Sequence, residues 1–214
     1  MKKAPILSQK NIEIAGTILG WTAVLIQLYL IINNRIASIP ETLIRFFSFY
    51  TILTNILVAC CFSILWLKPE NGLYSFFKNY KIQTAIAVYI SVVGLVYNAI
   101  LRFLWNPTGL QYIVDELLHS IIPVLYLIYW FNYHQKERLN FKPVIKWLIY
   151  PLIYLLYILI RGHFSNYYPY PFIDVNILGY NKTFLNSTFL FGFFGLISIL
   201  FIGISRLISK TKTP

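Results

Sequence analysis

Three ionisable side chains, Asp115, Glu116 and His119, lie close together in an otherwise apolar stretch, "YIVDELLHSIIPVLYLIYWF". In a helix, their spacing places them on one face. A carboxylate beside a histidine can hold the imidazole in one tautomer, so that its second nitrogen acts as a general base. A threonine hydroxyl needs such a base to become a nucleophile. The stretch "FFSFYTILTNIL" offers Thr51 for that role, with Asn55 about one helical turn further on.

The segments that carry these residues have the length and composition of membrane spans. Of the 214 residues, 58% are hydrophobic and 12% are charged, whereas a soluble domain carries about 25% charged residues. Each crossing needs about 20 apolar residues, and it must be helical because lipid offers no partner to the backbone. The sequence therefore predicts an all-α, polytopic membrane protein, with one six-helix transmembrane domain over residues 1–214. The expected spans are 12–32, 44–67, 82–103, 111–131, 144–160 and 187–208.

The basic residues are distributed unevenly between the two sides of this bundle. Thirteen fall at the termini and in the second and fourth loops, and five fall on the other side. Because loops rich in Lys and Arg stay in the cytoplasm, both termini are expected to be cytoplasmic. The same distribution accounts for the net charge of +11 without a nucleic-acid partner. The thirteen are Lys2, Lys3, Lys10, Lys68, Lys78, Lys81, Lys136, Arg138, Lys142, Lys146, Arg206, Lys210 and Lys212.

With this topology, the polar residues of the spans gather toward the outer leaflet. At 1.5 Å of rise per residue, Thr51 lies roughly 10 Å and His119 roughly 12 Å below the outer surface. The third span adds Asn98 and Arg102 near its outer end, while the inner halves of the spans are nearly all apolar. Pro123 removes the backbone donor to the His119 carbonyl and predicts a kink there. The pattern predicts a polar pocket that opens toward the outer face.

This pocket has a catalytic interpretation. Thr51 would be the nucleophile and His119 the base. Asp115 or Glu116 would orient the histidine. Amide or guanidinium donors could then stabilise the oxyanion that forms from an acyl ester. The candidate donors are Asn55, Asn98 and Arg102.

The same residues also have a structural interpretation. A threonine in a membrane helix usually bonds to its own helix, and asparagines join helices to one another. Arg102 and Arg161 could reach the outer interface along their aliphatic stems, and the acidic pair could neutralise them. His119 is harder to explain as structural because it lies deep among apolar residues. His163 lies near the surface, and His134 falls in a basic loop where water is expected to solvate it.

Three stretches resemble a known family: "FFSFYTILTNIL", "DELLHSIIPVL" and "YYPYPFIDVNILG" occur in the same order along the chain. The family consists of prokaryotic six-span membrane proteins that are related to the eukaryotic androgen-induced membrane hydrolases. The resemblance covers nearly the whole chain and implies six spans with both termini inside. It also implies that Thr51, in "FYT", and His119, in "LLHSIIP", match the pair that hydrolyses fatty-acid esters of hydroxy fatty acids.

The resemblance extends to the aromatic segment before the last span. The family's Tyr-Pro-Phe-x-acid element is matched by Tyr170, Phe172 and Asp174, and His163 precedes it by seven residues. This segment, together with Arg161, is expected to cover the pocket and help to hold an acyl chain.

The sequence thus predicts an intramembrane threonine-type hydrolase that cleaves a lipid acyl ester in an outer-leaflet pocket of a bacterial plasma-membrane protein. The expected partner is a lipid from the bilayer. No cofactor or metal is expected, because one histidine and two adjacent carboxylates on a single turn are a poor ligand set. The alternative is a non-enzymatic protein that binds lipids or small molecules, or a transporter. Apolar inner halves and the lack of an internal repeat argue against a transporter, while head group, chain length and oligomeric state stay open.

Overall fold

A computed structural model of the chain describes residues 8–133 and 139–210, which form helices joined by short turns. Within these residues, six helical segments are long and apolar enough to cross a membrane, and no β-strand occurs. The prediction of an all-α protein with six candidate spans is therefore confirmed. The segments are Gln9–Asn33, Tyr50–Leu67, Tyr80–Phe103, Gly109–Tyr133, Pro143–Ser165 and Val175–Ser209.

The chain divides into two compact units, Met1–Glu137 and Arg138–Pro214. The second unit contains α8 (Pro143–Ser165) and α9 (Val175–Lys210), separated by a 3-10 turn over Pro171–Ile173. The first unit contains α1 (Gln9–Asn33), α2 (Ile39–Phe47), α3 (Tyr50–Leu67), α4 (Gly72–Lys78), α5 (Tyr80–Ala99), a 3-10 turn (Leu101–Phe103), α6 (Gly109–Glu116) and α7 (Ile122–Tyr133).

Short polar residues begin two of the spans. The Ser8 hydroxyl accepts the Asn11 N–H at 3.2 Å at the start of α1, and the Asn79 side chain accepts the Lys81 N–H at 2.9 Å at the start of α5. These side chains satisfy N–H groups that have no partner in the first helical turn. At the other end of a span, α3 stops where Lys68 adopts a left-handed conformation with φ 49°.

The second span begins later than the predicted 44–67. Helix α2 ends before Ser48, and α3 begins after Phe49. The Ser48 hydroxyl donates to the Ile44 carbonyl at 2.6 Å, and Phe49 is extended with ψ 122°. Serine competes in this way with the helical backbone and favours helix ends. Thr51 is consequently the second residue of α3, and the depth estimate that assumed a continuous helix from residue 44 does not hold.

The fourth span is interrupted close to the predicted kink. A π-helical turn, Leu117–Ile121, separates α6 from α7. The Ile122 N–H donates to the carbonyl five residues back, which is the widened register of a π-turn. Pro123 follows and has no N–H to donate. The carbonyls of Leu118 and His119 therefore lack the donor four residues ahead that an α-helix would supply.

The core of the first unit lies around Phe62. Gly16 on α1 lies directly against the Phe62 ring, and such small residues let membrane helices approach closely. The same ring meets the rings of Tyr126 and Tyr129 on α7 edge-on, with centroid distances of 5.3 and 5.2 Å. This aromatic layer joins α1, α3 and α7.

In the second unit, contacts near its start hold the C-terminal part of α9. Arg206 Nε donates to the Leu139 carbonyl at 2.6 Å. Its guanidinium carbon lies 4.2 Å from the centroid of the Phe141 ring, within the range of a cation–π contact. The two helices of this unit therefore run antiparallel.

The last span is longer than the predicted 187–208. Helix α8 ends at Asn166, which has φ 52°, and α9 already begins at Val175. Gly179 interrupts this segment near its start with a non-helical conformation, φ 70° and ψ 163°, which glycine adopts without a steric cost. The irregular chain between the last two spans is thus confined to a few residues.

Some sequence predictions fall outside the described residues. They concern the solvated His134 and five of the basic residues used for the topology, which are Lys2, Lys3, Lys136, Arg138 and Lys212. The cytoplasmic position of both termini stays a prediction, as does the arrangement of all six spans in one bundle.

Candidate functional site

Polar residues gather at one end of the first unit. Helix α3 begins at this end, α5 finishes there, and the fourth span passes through its π-turn there. Hydrogen bonds and ring contacts connect a set of residues that we refer to as the His119 cluster. Its members are Asn55, Tyr97, Asn98, Arg102, Trp105, Asp115, Glu116, His119 and Ser120.

The His119 imidazole is held in one orientation. Its Nδ1 lies 2.9 Å from the backbone carbonyl of Asp115 and 3.4 Å from Asp115 Oδ1. Because a carbonyl can only accept, Nδ1 carries the proton and Nε2 is the basic nitrogen of the neutral ring. The Tyr97 ring stacks on the imidazole with 3.9 Å between centroids and 13° between planes. In the described part of the chain, Nε2 has no hydrogen-bond partner.

Asp115 is the carboxylate that contacts the histidine. It is buried, with 6% of its surface exposed. Its Oδ2 accepts hydrogen bonds from the Tyr97 hydroxyl and, at 3.4 Å, from Trp105 Nε1. Its other oxygen, Oδ1, faces the His119 ring. Of the two acids predicted to orient His119, the geometry supports Asp115.

Glu116 has a different partner. Arg102 Nη2 lies 2.5 Å from Glu116 Oε1 and 3.2 Å from Ser120 Oγ. Arg102 Nε also donates to Asn98 Oδ1 at 2.9 Å. Glu116 thus matches the structural interpretation, in which a carboxylate neutralises an arginine. Arg102 Nη1 keeps its N–H groups without a partner among the residues that the structure describes.

Two asparagines donate hydrogen bonds to the carbonyls that lack an α-helical donor at the π-turn. Asn55 Nδ2 donates to the Leu118 carbonyl at 3.1 Å and to the Thr51 carbonyl at 2.9 Å. Asn98 Nδ2 donates to the His119 carbonyl at 3.3 Å and to a carbonyl of its own helix at 2.8 Å. An amide nitrogen has two hydrogens, so neither asparagine keeps a donor for an oxyanion. This geometry supports the interpretation in which they join helices.

Thr51 belongs to the same end of the first unit. It is buried, with 7% of its surface exposed, in the first turn of α3. Asn55 connects its carbonyl to that of Leu118, the residue before His119. The backbone of Thr51 therefore lies level with the π-turn. The N-terminal end of α3 also brings the positive end of a helix dipole to this region.

The aromatic segment that was predicted to cover the pocket lies in the second unit. The rings of Tyr170 and Phe172 stack with 5.2 Å between centroids and 6° between planes. Asp174 Oδ1 accepts the Asn176 N–H at 2.9 Å and caps the first turn of α9. Burial, more than the nearby charge of Asp174, raises the pKa of the Tyr168 phenol. These residues have local structural roles, and their covering role stays a prediction.

Two further predicted residues also lie in the second unit. His163 Nδ1 lies 3.0 Å from the Tyr180 hydroxyl. Arg161 Nη1 donates to the Tyr167 carbonyl at 3.3 Å, and its guanidinium lies 5.1 Å from the centroid of the Tyr167 ring. Both side chains thus find partners close to the end of α8.

A second polar cluster lies at the opposite end of the first unit, where α1 and α5 begin and α3 and α7 finish. Glu13 on α1 is only 3% exposed, and its Oε1 accepts from Gln9 Nε2 at 2.8 Å and from the Tyr129 hydroxyl at 3.2 Å. The expectation that this half of the spans is nearly all apolar is therefore wrong. The sequence does contain a signal for this cluster, because Glu13 is an acidic residue inside the predicted first span. The Glu13 cluster consists of Gln9, Glu13, Cys61, Gln83, Thr84, Tyr126, Tyr129 and Trp130.

Tyr97 and Trp105 were not predicted as members of the site. Their roles depend on the carboxylate of Asp115, which lies 18 and 10 residues away along the chain. Tyr97 is one of 17 tyrosines, and an aromatic residue in a span ordinarily indicates packing. No motif in the sequence distinguishes it.

In the described part of the chain, no three histidine, cysteine or acidic side chains are arranged as a metal site would require.

Comparisons with known proteins place the chain in no family. No family model matches the sequence, and no curated protein or solved structure is significantly similar to it.

Proposed function

We propose that the protein hydrolyses an acyl ester of a membrane lipid, with Thr51 as the nucleophile and His119 as the general base. One observation carries the proposal: His119 Nδ1 is committed to Asp115, while Nε2 has no partner within the described residues. A histidine prepared in this way has the orientation and the tautomer that a base requires. An ionisable residue inside a membrane span is itself a functional candidate, because its burial is costly.

The reaction would proceed in two halves. Thr51 Oγ1 attacks the ester carbonyl carbon and its proton moves to His119 Nε2. The tetrahedral intermediate then breaks its bond to the alcohol oxygen, which takes that proton and leaves as the alcohol. Water attacks the acyl-threonine in the second half and gives a proton to Nε2. Collapse of this intermediate releases the fatty acid and returns the proton to Thr51 Oγ1.

Two features could stabilise the oxyanion. Arg102 has N–H groups on Nη1 that no described residue uses, although its other nitrogens are occupied. The first turn of α3 places the positive end of a helix dipole beside Thr51. The amide hydrogens of Asn55 and Asn98 are already bonded to backbone carbonyls. These two residues would therefore act by holding α3 and α5 in place against the π-turn.

We further propose where the protein lies and which class of lipid it cleaves. The excess of basic residues on one side of the predicted bundle favours cytoplasmic termini, which would place the His119 cluster near the outer face of a bacterial plasma membrane. The resemblance to the prokaryotic relatives of the androgen-induced membrane hydrolases favours a fatty-acid ester of a hydroxy fatty acid as the substrate class. The lipid would enter from the bilayer.

Covalent labelling with a fluorophosphonate probe tests this function. Purified wild type, Thr51→Ala and His119→Ala would be compared with Thr84→Ala, a buried threonine of the Glu13 cluster. Thr51→Ala should not label at all, and His119→Ala should label at least about 100-fold more slowly than wild type, as expected for the loss of a general base. The Thr84→Ala control should label within about twofold of wild type because it lies far from the reacting groups.

Two results would contradict the hydrolase. One is a well-folded wild type that does not label, and the other is labelling that survives in Thr51→Ala. Size-exclusion chromatography and circular dichroism of each variant establish that the protein is folded.

A second candidate is a lipid-binding protein or a transporter. The Glu13 cluster favours it, because polar groups then occur at both ends of the first unit, as a pathway with two gates would require. Such a protein would not label with the probe, and it would keep its bound lipid when Thr51 is replaced by alanine. Mass spectrometry of the lipids extracted from purified wild type and Thr51→Ala distinguishes the two candidates.

A further inference from the structure

Tyr97 contacts both the proposed base, His119, and the carboxylate that holds it, Asp115. It is buried, with 4% of its surface exposed, in the last turn of α5. Its hydroxyl donates to Asp115 Oδ2, and its ring lies flat on the imidazole of His119. The Arg102 guanidinium lies 5.3 Å from the centroid of the same ring. Tyr97 thus contacts the acid, the base and the arginine of the cluster.

The hydroxyl of Tyr97 determines which way the carboxylate of Asp115 faces. Once Oδ2 is occupied by the tyrosine hydroxyl and Trp105 Nε1, the remaining oxygen, Oδ1, is directed at His119 Nδ1. A hydrogen bond to a charged acceptor is among the stronger ones in a protein. The tyrosine therefore acts on the imidazole through the acid.

The ring of Tyr97 acts on the imidazole directly. Rotation of the His119 ring by half a turn would break its contact with the Asp115 carbonyl, because it would bring Cδ2 to the place of Nδ1 and Cε1 to the place of Nε2. Stacking at 3.9 Å with nearly parallel planes opposes that rotation. The direction in which Nε2 points is then maintained by α5, a different helix from the one that carries the histidine.

We propose that Tyr97 is a positioning residue for His119, which holds Nε2 toward the substrate through its hydrogen bond to Asp115 and its stacked ring. The inference rests on the proposed function, because it assigns a part in the same site. It predicts that the hydroxyl and the ring of Tyr97 can be separated by mutation. Tyr97→Phe keeps the ring and removes the hydroxyl, whereas Tyr97→Leu removes both.

The first test measures the maximal rate of fluorophosphonate labelling separately from the apparent affinity for the probe. Tyr97→Phe should lower the maximal rate about tenfold, which corresponds to one hydrogen bond to a charged group, and Tyr97→Leu about 100-fold. The probe affinity should stay within about twofold, because Tyr97 acts on the base. Tyr126→Phe is the matched control: it removes a buried hydroxyl from the same unit, one that donates to the Gln83 carbonyl, and it should leave the rate unchanged.

A double-mutant comparison distinguishes positioning from simple packing. In an Asp115→Asn background, Tyr97→Phe should have little further effect, because the hydroxyl acts through the carboxylate. Tyr97→Leu should still slow labelling in that background, since the stack is independent of the acid. Independent, multiplying effects of Tyr97→Phe and Asp115→Asn would overturn the inference, and so would an equal loss of rate in Tyr126→Phe.

The second test does not depend on any hydrolysis. The ring nitrogens of histidine are labelled with ¹⁵N, and the His119 signals are assigned by their loss in His119→Ala. Wild type should show the proton on Nδ1, and Tyr97→Leu should show a mixture of both tautomers. A wild-type spectrum with the proton on Nε2 would refute the positioning of His119. The expected spectra without any probe labelling would reject the hydrolase and would leave Tyr97 as the residue that orients His119.

Discussion

The two ends of the first unit each bury a carboxylate against a tyrosine hydroxyl, yet they differ in what surrounds it. At one end, Tyr97 donates to Asp115, which contacts His119. At the other end, Tyr129 donates to Glu13, whose second donor is a neutral amide. Only at the first end does the carboxylate contact an imidazole, and the Nε2 of that ring has no hydrogen-bond partner among the described residues.

A buried charge is therefore not by itself the mark of a reactive site. Glu13 and Asp115 are exposed to a similar extent, 3% and 6%, and both are costly to place in a membrane. The two side chains that donate to Glu13 are the amide of Gln9 and the phenol of Tyr129, and neither group takes up a proton near neutral pH. The neighbour of Asp115 can accept and release a proton at Nε2, so chemistry is expected at that end.

Neutralising each carboxylate in turn should give the largest difference in labelling rate between the two ends. Asp115→Asn should slow fluorophosphonate labelling about 100-fold or more, because His119 loses the charge that stabilises its protonated form. Glu13→Gln should change the rate less than about twofold, since the side chain stays in place at a distance from the reacting groups. Labelling rates of the two purified variants, relative to wild type, check both expectations. Equal losses would remove the distinction between the two ends.

Overpacking the Glu13 end should affect stability and leave the chemistry intact. The Cβ of Gly16→Ala would overlap the ring of Phe62, which is fully buried, so that one of the two would have to shift. Overpacking of this kind costs about 1–3 kcal/mol, seen as an earlier unfolding transition in bicelles. Gly192→Ala is the control, because its added Cβ would meet no atom within 4 Å. A Gly16→Ala protein as stable as the control would show that the aromatic layer yields easily.

Removing a single hydroxyl from the Glu13 end should have the smallest effect. Tyr129→Phe deletes the donor to Glu13 Oε1, although Gln9 still donates to the same oxygen. Hydrogen bonds between membrane helices contribute about 0.6 kcal/mol on average and at most about 1.7 kcal/mol. The unfolding transition should therefore shift slightly, and the labelling rate should match wild type. A large loss of labelling would mean that the two ends are coupled through α7.

Local features of the sequence were enough to predict much of the fold. The six apolar blocks and the break beside Pro123 follow from composition and from single residues, so they could be located without any contact being known. Helix ends were less certain. Ser48 and Phe49 break the predicted second span, and Gly179 interrupts the last helical segment near its start. These outcomes depend on how a side chain competes with the backbone at one position.

The order of apolar and polar residues along the chain predicts six helices that are apolar enough to cross a membrane, with Thr51, Asp115, Glu116 and His119 as polar residues within them. That Asp115 holds His119 while Glu116 pairs with Arg102 follows from the packing of the helices and not from the order of the residues. Adjacent residues on a helix point about 100° apart, so the rotation of each helix against its neighbours selects the partner. Hydropathy cannot specify that rotation, because it reports how apolar a segment is and not which helix each of its faces will meet.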